Sequence, residues 1–138
     1  MEMIDYRDDG QFTSGHVACG GCAEALALRV ILNTVGNDAI ATVSPSCSAV
    51  ICGAFPLSSS RVPVFHTTLE SGAASASGIK RALVAKGKPD TTVRCRAGDG
   101  GTYDSGRQAL SSAAERNEDI LYVCFDNEGY MNTGGQKS

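Results

Sequence analysis

Residues 91–129 read TTVRCRAGDGGTYDSGRQALSSAAERNEDILYVCFDNEG, and their order decides the fold. Thr91 to Ala97 is a short run of strand formers that stops at Gly98-Asp99-Gly100-Gly101. Asp104 to Arg116 has the composition and spacing of a helix. Ile120 to Phe125 is a second apolar run of strand length, ended by Asp126-Asn127-Glu128-Gly129. Strand, loop, helix, strand is a βαβ unit, so the chain is expected to be α/β, with a mostly parallel sheet flanked by helices.

The same alternation extends toward the N-terminus. Cys22 to Val35 predicts a helix that stops at Gly36-Asn37, and Ala39 to Ser44 predicts a buried strand ended by Pro45, with Cys47 on a loop or at the start of a turn beyond it. Val62 to His66 is a further short strand candidate. Glu70 to Lys86 is a small-residue run that becomes an amphipathic helix, with its basic residues placed late, where they suit the helix dipole. Gly72, Ala73, Ala74, Ala76 and Gly78 should let that helix pack closely on another backbone.

The 138 residues suffice for one domain, and 42% hydrophobic with 20% charged residues is ordinary for a globular chain. Twelve basic against fifteen acidic side chains leave a net charge of −3, with no basic field to hold nucleic acid or an anionic membrane. No run approaches the roughly 18 apolar residues of a membrane helix, and Met1 to Gly15 is polar and acidic without a signal-peptide core; the expected location is cytoplasmic. Six cysteines in such a chain point to metal or redox chemistry rather than disulfides. Only Cys19 and Cys22 form a C-x-x-C pair, and no second pair completes a zinc ribbon. A dithiol site or a zinc site near His16 stays open at this level.

In open parallel sheets, ligands bind at the carboxyl ends of strands, and the loops Gly98 to Gly101 and Asp126 to Gly129 both sit at such ends. Taken alone, Gly98-Asp99-Gly100 reads as a tight turn. Joined by Asn127 at the end of the next strand, it supplies hard oxygen donors of the kind Mg²⁺ takes when it bridges a diphosphate, beside glycines that let the backbone approach phosphate.

Gly98-Asp99-Gly100 followed by Asn127 resembles the thiamine diphosphate signature of many enzymes. The flanks Gly98-Asp-Gly-Gly-Thr-Tyr-Asp104, Tyr122-Val-Cys-Phe-Asp-Asn-Glu128, Tyr130-Met-Asn-Thr-Gly-Gly-Gln136 and Gly15-His-Val-Ala-Cys-Gly-Gly-Cys-Ala-Glu24 resemble the β subunit of pyruvate:ferredoxin oxidoreductase. The resemblance implies a thiamine diphosphate-binding fold that is incomplete here: a polar extension over 1–14, then the N-terminal portion of the cofactor domain, with iron–sulfur ligands, over 15–138. It implies that Asp99, the Asn127 side chain and the Gly129 carbonyl bind Mg²⁺, that Gly98, Gly100 and Gly101 form the phosphate loop, and that Glu24 and Glu70 contact the cofactor. Asn132 would lie near the thiazolium and the substrate, as the catalytic residue. Cys19, Cys22 and Cys47 match three of four ligands of a 4Fe-4S cluster, the fourth lying farther downstream. Cys52, Cys95 and Cys124 read as small buried hydrophobes.

The implied reaction is oxidative decarboxylation of a 2-oxoacid, pyruvate by the likeness of Tyr130-Met-Asn-Thr133. Coenzyme A would accept the acyl group and ferredoxin or flavodoxin the electrons. The partners would be an alpha subunit and, in assemblies that have them, gamma and delta subunits; without its partner this chain would be inactive. The alternative is a non-catalytic C-x-x-C metal-binding or subunit-interaction domain from a truncated or decayed homologue. Three residues sit oddly in either picture. Arg94 and Arg96 fall on one face of a strand expected to be buried on both, so that either the register is unusual or that face is polar. Ser105 stands where an aliphatic residue under the phosphate loop is expected.

Overall fold

The computed structural model describes residues 10–54 and 56–138. The elements are α1 (Ala23–Val35), β1 (Ala39–Val43), α2 (Cys47–Cys52), β2 (Val64–His66), α3 (Gly72–Ala85), β3 (Thr92–Gly98), α4 (Arg107–Glu115) and β4 (Leu121–Phe125). The strands form one fully parallel sheet in the order β2-β1-β3-β4. β1 and β3 are central; they pair Ala39 with Thr92 through Val43 with Arg96, and β3 pairs Arg94 with Leu121 through Gly98 with Phe125.

Each face of the sheet has its own core. Residues in register share a face, so Ala39, Ala41 and Val43 lie with Arg94 and Arg96 on the side covered by α1 and α2. Leu28, Leu32 and Ile51 close that layer together with Phe12 and Val62. The opposite face carries Val93 and Cys95 against Ala76, Ile79 and Leu83 of α3. Gly72 opens α3 at the closest approach to the sheet: a Cβ there would stand 2.5 Å from Ser44 Oγ and 2.9 Å from Cys95 Sγ. Of the small residues expected to pack, Gly72, Ala73 and Ala76 are buried, whereas Ala74 and Gly78 face outward.

Several expectations are corrected. Cys47, expected on a loop or at the start of a turn, begins the six-residue helix α2, which is held in place by the burial of Ile51 and Cys52 and by the Ser59 hydroxyl donating to the Ile51 carbonyl. The helix expected from Asp104 starts at Arg107, after a wide turn over Gly100–Asp104 that ends with the Ser105 N–H on the Gly100 carbonyl. The late basic residues of α3 do not serve its dipole. Lys80 is buried and donates to the carbonyls of Pro89 (2.6 Å) and Thr91 (3.1 Å) while pairing with Asp119 at 2.8 Å. Of the expected extension, residues 1–9 lie outside the described residues. Phe12 is already core, and Thr13 N–H bonds the Ser59 carbonyl. Among the described residues no helix is long and apolar enough to cross a membrane.

Candidate functional site

The parallel pairing of β3 with β4 brings their carboxyl ends side by side, Gly98 opposite Phe125. Asp99, one residue past β3, is 3% exposed. Beyond β4 the chain turns sharply: Glu128 takes a left-handed backbone (φ 66°), and its N–H bonds the Asp126 carboxylate at 2.9 Å. That turn aims Asn127 and the Gly129 carbonyl at Asp99. The amide end of Asn127 lies 2.8 Å from the Gly129 oxygen and 3.2 Å from Asp99 Oδ1. With its NH₂ inward the amide donates to both; with its oxygen inward three oxygens face one another, which requires a cation. These spacings match the edge of about 3 Å of an octahedron with bonds of about 2.1 Å, the geometry Mg²⁺ demands. The residues present therefore fit the ion. Ser138, which sequence reasoning missed, donates its hydroxyl to Asp99 Oδ2 at 2.5 Å.

The glycine loop is shaped by its own neighbours. A Cβ on Gly100 would overlap the Tyr130 ring, and one on Gly101 would stand 3.4 Å from both Ala97 Cβ and the Leu69 carbonyl. Tyr130 Oη donates to Asp104 Oδ2 at 2.7 Å, locking the ring over the loop. Tyr122 reaches the far side, its hydroxyl 3.2 Å from Thr102 Oγ1, and burial pushes its phenol up to about 12. No local pattern marks either tyrosine as part of the loop; they meet it only across 20 to 30 residues of chain. Ser105 is exposed, so no packing under the loop is lost.

The structure also places the other expected residues. Cys22 N–H bonds the Cys19 carbonyl at 3.1 Å, closing the C-x-x-C turn just before α1. Cys47 begins α2, which packs on α1. Burial, then the charges of Glu24, Cys22 and Cys19, push the Cys47 thiol up, so these four groups share one neighbourhood. Among the described residues no three His, Cys, Asp or Glu side chains are grouped as a single metal ion would need. Glu24 is half-buried with an unpartnered Oε1; burial raises its carboxyl to about 6 against the opposing pull of Arg96. Glu70 is exposed beyond β2, accepting from Thr68 Oγ1 at 2.9 Å, next to the Leu69 carbonyl that borders Gly101. Asn132 stands on an exposed turn. His16 stacks on Phe12 and accepts from the Ala18 N–H; His66 is exposed at the end of β2. Cys52 and Cys95 are fully buried and Cys124 partly so.

Of the two expectations for Arg94 and Arg96, the register is regular, and the face is the polar one: both side chains are fully buried in the layer that also holds Ser48 and Glu24, and none of their guanidinium nitrogens has a hydrogen-bond partner. Burial, then the neighbouring Arg96 cation, holds Arg94 down at about 10, so it stays charged at neutral pH.

The profile of the thiamine pyrophosphate enzyme C-terminal TPP-binding domain matches residues 47–138. The pyruvate synthase subunit PorB of Methanothermobacter thermautotrophicus is 48% identical over 124 residues, 90% of this chain and 43% of that protein. The ketoisovalerate oxidoreductase subunit VorB of Pyrococcus abyssi is 46% identical over 132 residues, 92% of this chain and 42% of that protein. The chain thus spans less than half the length of these two curated relatives. The fold is shared with a 2-oxoglutarate:ferredoxin oxidoreductase from Magnetococcus marinus, with a TM-score of 0.71 at 24% identity over 95% of this chain and 44% of that one.

Proposed function

Because the chain belongs to the thiamine pyrophosphate enzymes, through their C-terminal cofactor-binding domain, we propose that it works as part of the β subunit of a 2-oxoacid:ferredoxin oxidoreductase. Residues 15–138 are read as the N-terminal portion of that cofactor domain. The observation that carries the reading is the convergence of Asp99, Asn127 and the Gly129 carbonyl at the ends of two adjacent parallel strands.

Thiamine diphosphate, when bound, supplies the nucleophilic carbon and the electron sink that decarboxylation of a 2-oxoacid needs. The chain's residues bind and orient. Asp99, Asn127 and Gly129 would hold the Mg²⁺ that the diphosphate needs, and Gly98, Gly100 and Gly101 would keep side chains out of its path. Glu24 and Glu70 face the cofactor from the α1 and β2 ends of the sheet, and Asn132 reaches the substrate once its turn is covered by a partner subunit. Cys19, Cys22 and Cys47 would supply three thiolates to a 4Fe-4S cluster, whose chemistry would be one-electron transfer. Pyruvate is the substrate that Tyr130-Met-Asn-Thr133 favours, with coenzyme A as acyl acceptor, ferredoxin or flavodoxin as electron acceptor, and a cytoplasmic setting. The alpha subunit, with gamma and delta subunits where present, completes the site, and the chain alone is inactive.

The test is oxoacid- and coenzyme A-dependent reduction of a low-potential dye by the purified complex, with pyruvate, 3-methyl-2-oxobutanoate and 2-oxoglutarate compared. Thiamine diphosphate- and Mg²⁺-dependent turnover that prefers pyruvate is expected. Absence of turnover with every oxoacid overturns the reading.

A further inference from the structure

The loop that carries Asp99 is tied down by two side chains that the cofactor reading leaves without a role. Each carbonyl from Gly98 to Gly101 accepts a hydrogen bond. Those of Asp99 and Gly100 are met by backbone donors: the Thr102 (3.0 Å) and Tyr103 (2.7 Å) N–H groups bond the first, and the Ser105 N–H (3.0 Å) bonds the second. Those of Gly98 and Gly101 are met by hydroxyls. Thr102 Oγ1 donates to Gly98 at 2.7 Å, and Tyr122 Oη lies 3.3 Å from the Gly101 carbonyl and 3.2 Å from Thr102 Oγ1. Thr102 is buried, and Tyr122 reaches the loop from β4, where it stands in register with Cys95 on the α3 face of the sheet. Burial pushes the Tyr122 phenol up to about 12, so its hydroxyl stays a donor at neutral pH. Since the Thr102 proton goes to Gly98, Thr102 Oγ1 is left to accept from Tyr122, and the two hydroxyls form a relay from β4 to the last residue of β3.

A peptide unit is planar, with its N–H opposite its carbonyl. Holding the Gly98 carbonyl therefore fixes the Gly98–Asp99 peptide, and with it the direction in which the Asp99 side chain leaves the backbone. Mg²⁺ demands near-ideal octahedral geometry, so a small swing of that carboxylate away from Asn127, now 3.2 Å from Oδ1, weakens the donor set. We infer that Thr102 and Tyr122 are positioning residues for the ion and the diphosphate, their hydroxyl relay holding the Gly98–Asp99 peptide so that the Asp99 carboxylate meets Asn127 and the Gly129 carbonyl. This rests on the cofactor reading above. Neither side chain belongs to the donor set; both act through the backbone of the loop.

The experiment uses the assembled complex with the full-length subunit, freed of cofactor by dialysis against a chelator. Calorimetry measures thiamine diphosphate affinity at saturating Mg²⁺, and EPR of free Mn²⁺ measures how much divalent ion half-saturates the site. Thr102→Val keeps the shape and removes the hydroxyl; it should weaken cofactor binding and raise the Mn²⁺ requirement by roughly 10–100-fold each, the range for losing an outer partner of a metal ligand. Tyr122→Phe should move both quantities in the same direction by less. Thr102→Ser restores the hydroxyl and should stay within about threefold of wild type, again on the scale of outer-partner effects. Wild-type values in both Thr102→Val and Tyr122→Phe overturn the inference. So does an equal loss in Thr102→Ser and Thr102→Val, which makes the effect one of packing. Weaker cofactor binding with an unchanged Mn²⁺ requirement overturns it as well, because the hydroxyls then do not act through Asp99. If Thr102→Val fails to assemble, Tyr122→Phe, which keeps the ring in place, decides by the Mn²⁺ requirement. A wild-type complex that binds no thiamine diphosphate overturns the cofactor reading itself.

Discussion

The Tyr130 ring lies on Gly100, held there by a 2.7 Å hydrogen bond from its hydroxyl to Asp104, so position 100 has no room for a side chain. The loop after β3 and the segment after β4 thus fix each other's shape, and the Asp99–Asn127 approach depends on that fit.

Gly100→Ala is therefore expected to destabilise the protein by about 1–3 kcal/mol, the usual cost of overpacking. Tyr130→Ala in the same chain should recover part of that loss, with a coupling of about 0.5 kcal/mol or more in a double-mutant cycle by urea unfolding. Strictly additive effects would show that the ring and the glycine are independent.

Asp99→Ala should weaken thiamine diphosphate binding in the presence of Mg²⁺ by more than the roughly 10–100-fold typical of losing an outer-sphere partner. Asn127→Ala should act in the same direction. Both should leave unchanged any iron–sulfur absorption that the complex carries. Calorimetry on the assembled complex checks the first effect, and equal affinity in wild type and Asp99→Ala would remove Asp99 from the ion site.

Lys80→Ala should cost about 1.5–3 kcal/mol, because it strands the carbonyls of Pro89 and Thr91 that the buried ammonium now satisfies. Asp119 is 83% exposed, so Asp119→Ala should change stability by at most about 1 kcal/mol despite the ion pair. Chemical denaturation of the two variants distinguishes a carbonyl clamp from a salt bridge as the main role of Lys80.

In protein stripped of metal, alkylation followed by mass spectrometry should modify exposed Cys19 and Cys47 first. Cys52 and Cys95 should react only on unfolding. Burial pushes the Cys95 thiol up to about 11, so at pH 8 only about one in a thousand would be thiolate even with access. Fast native-state labelling of Cys95 would contradict its burial between β3 and α3.

The βαβ unit from Thr91 to Phe125 was legible because each segment has one period and one stop signal: apolar runs ended by Gly98 and by Asp126-Asn127, with a polar-faced helix between. The Asp99 and Asn127 pairing was legible for the same reason, since a right-handed crossover puts consecutive parallel strand ends side by side. Helix α2 was not legible. Six residues after a proline carry too little propensity to nucleate, and Ile51, Cys52 and the Ser59 hydroxyl hold the helix from outside. The roles of Lys80, Tyr130 and Ser138 were hidden likewise, since each partner lies 9 to 39 residues away.

The sequence by itself determined that the sheet is parallel, which loops stand at its carboxyl edge and which donor atoms those loops carry, because period, stop signals and side-chain chemistry are local properties. Only the tertiary structure decided the strand order β2-β1-β3-β4, the fit of Tyr130 over Gly100 and the enclosure of Arg94 and Arg96 beneath α1 and α2. These depend on contacts between distant segments, where packing and desolvation overrule what each residue would choose alone.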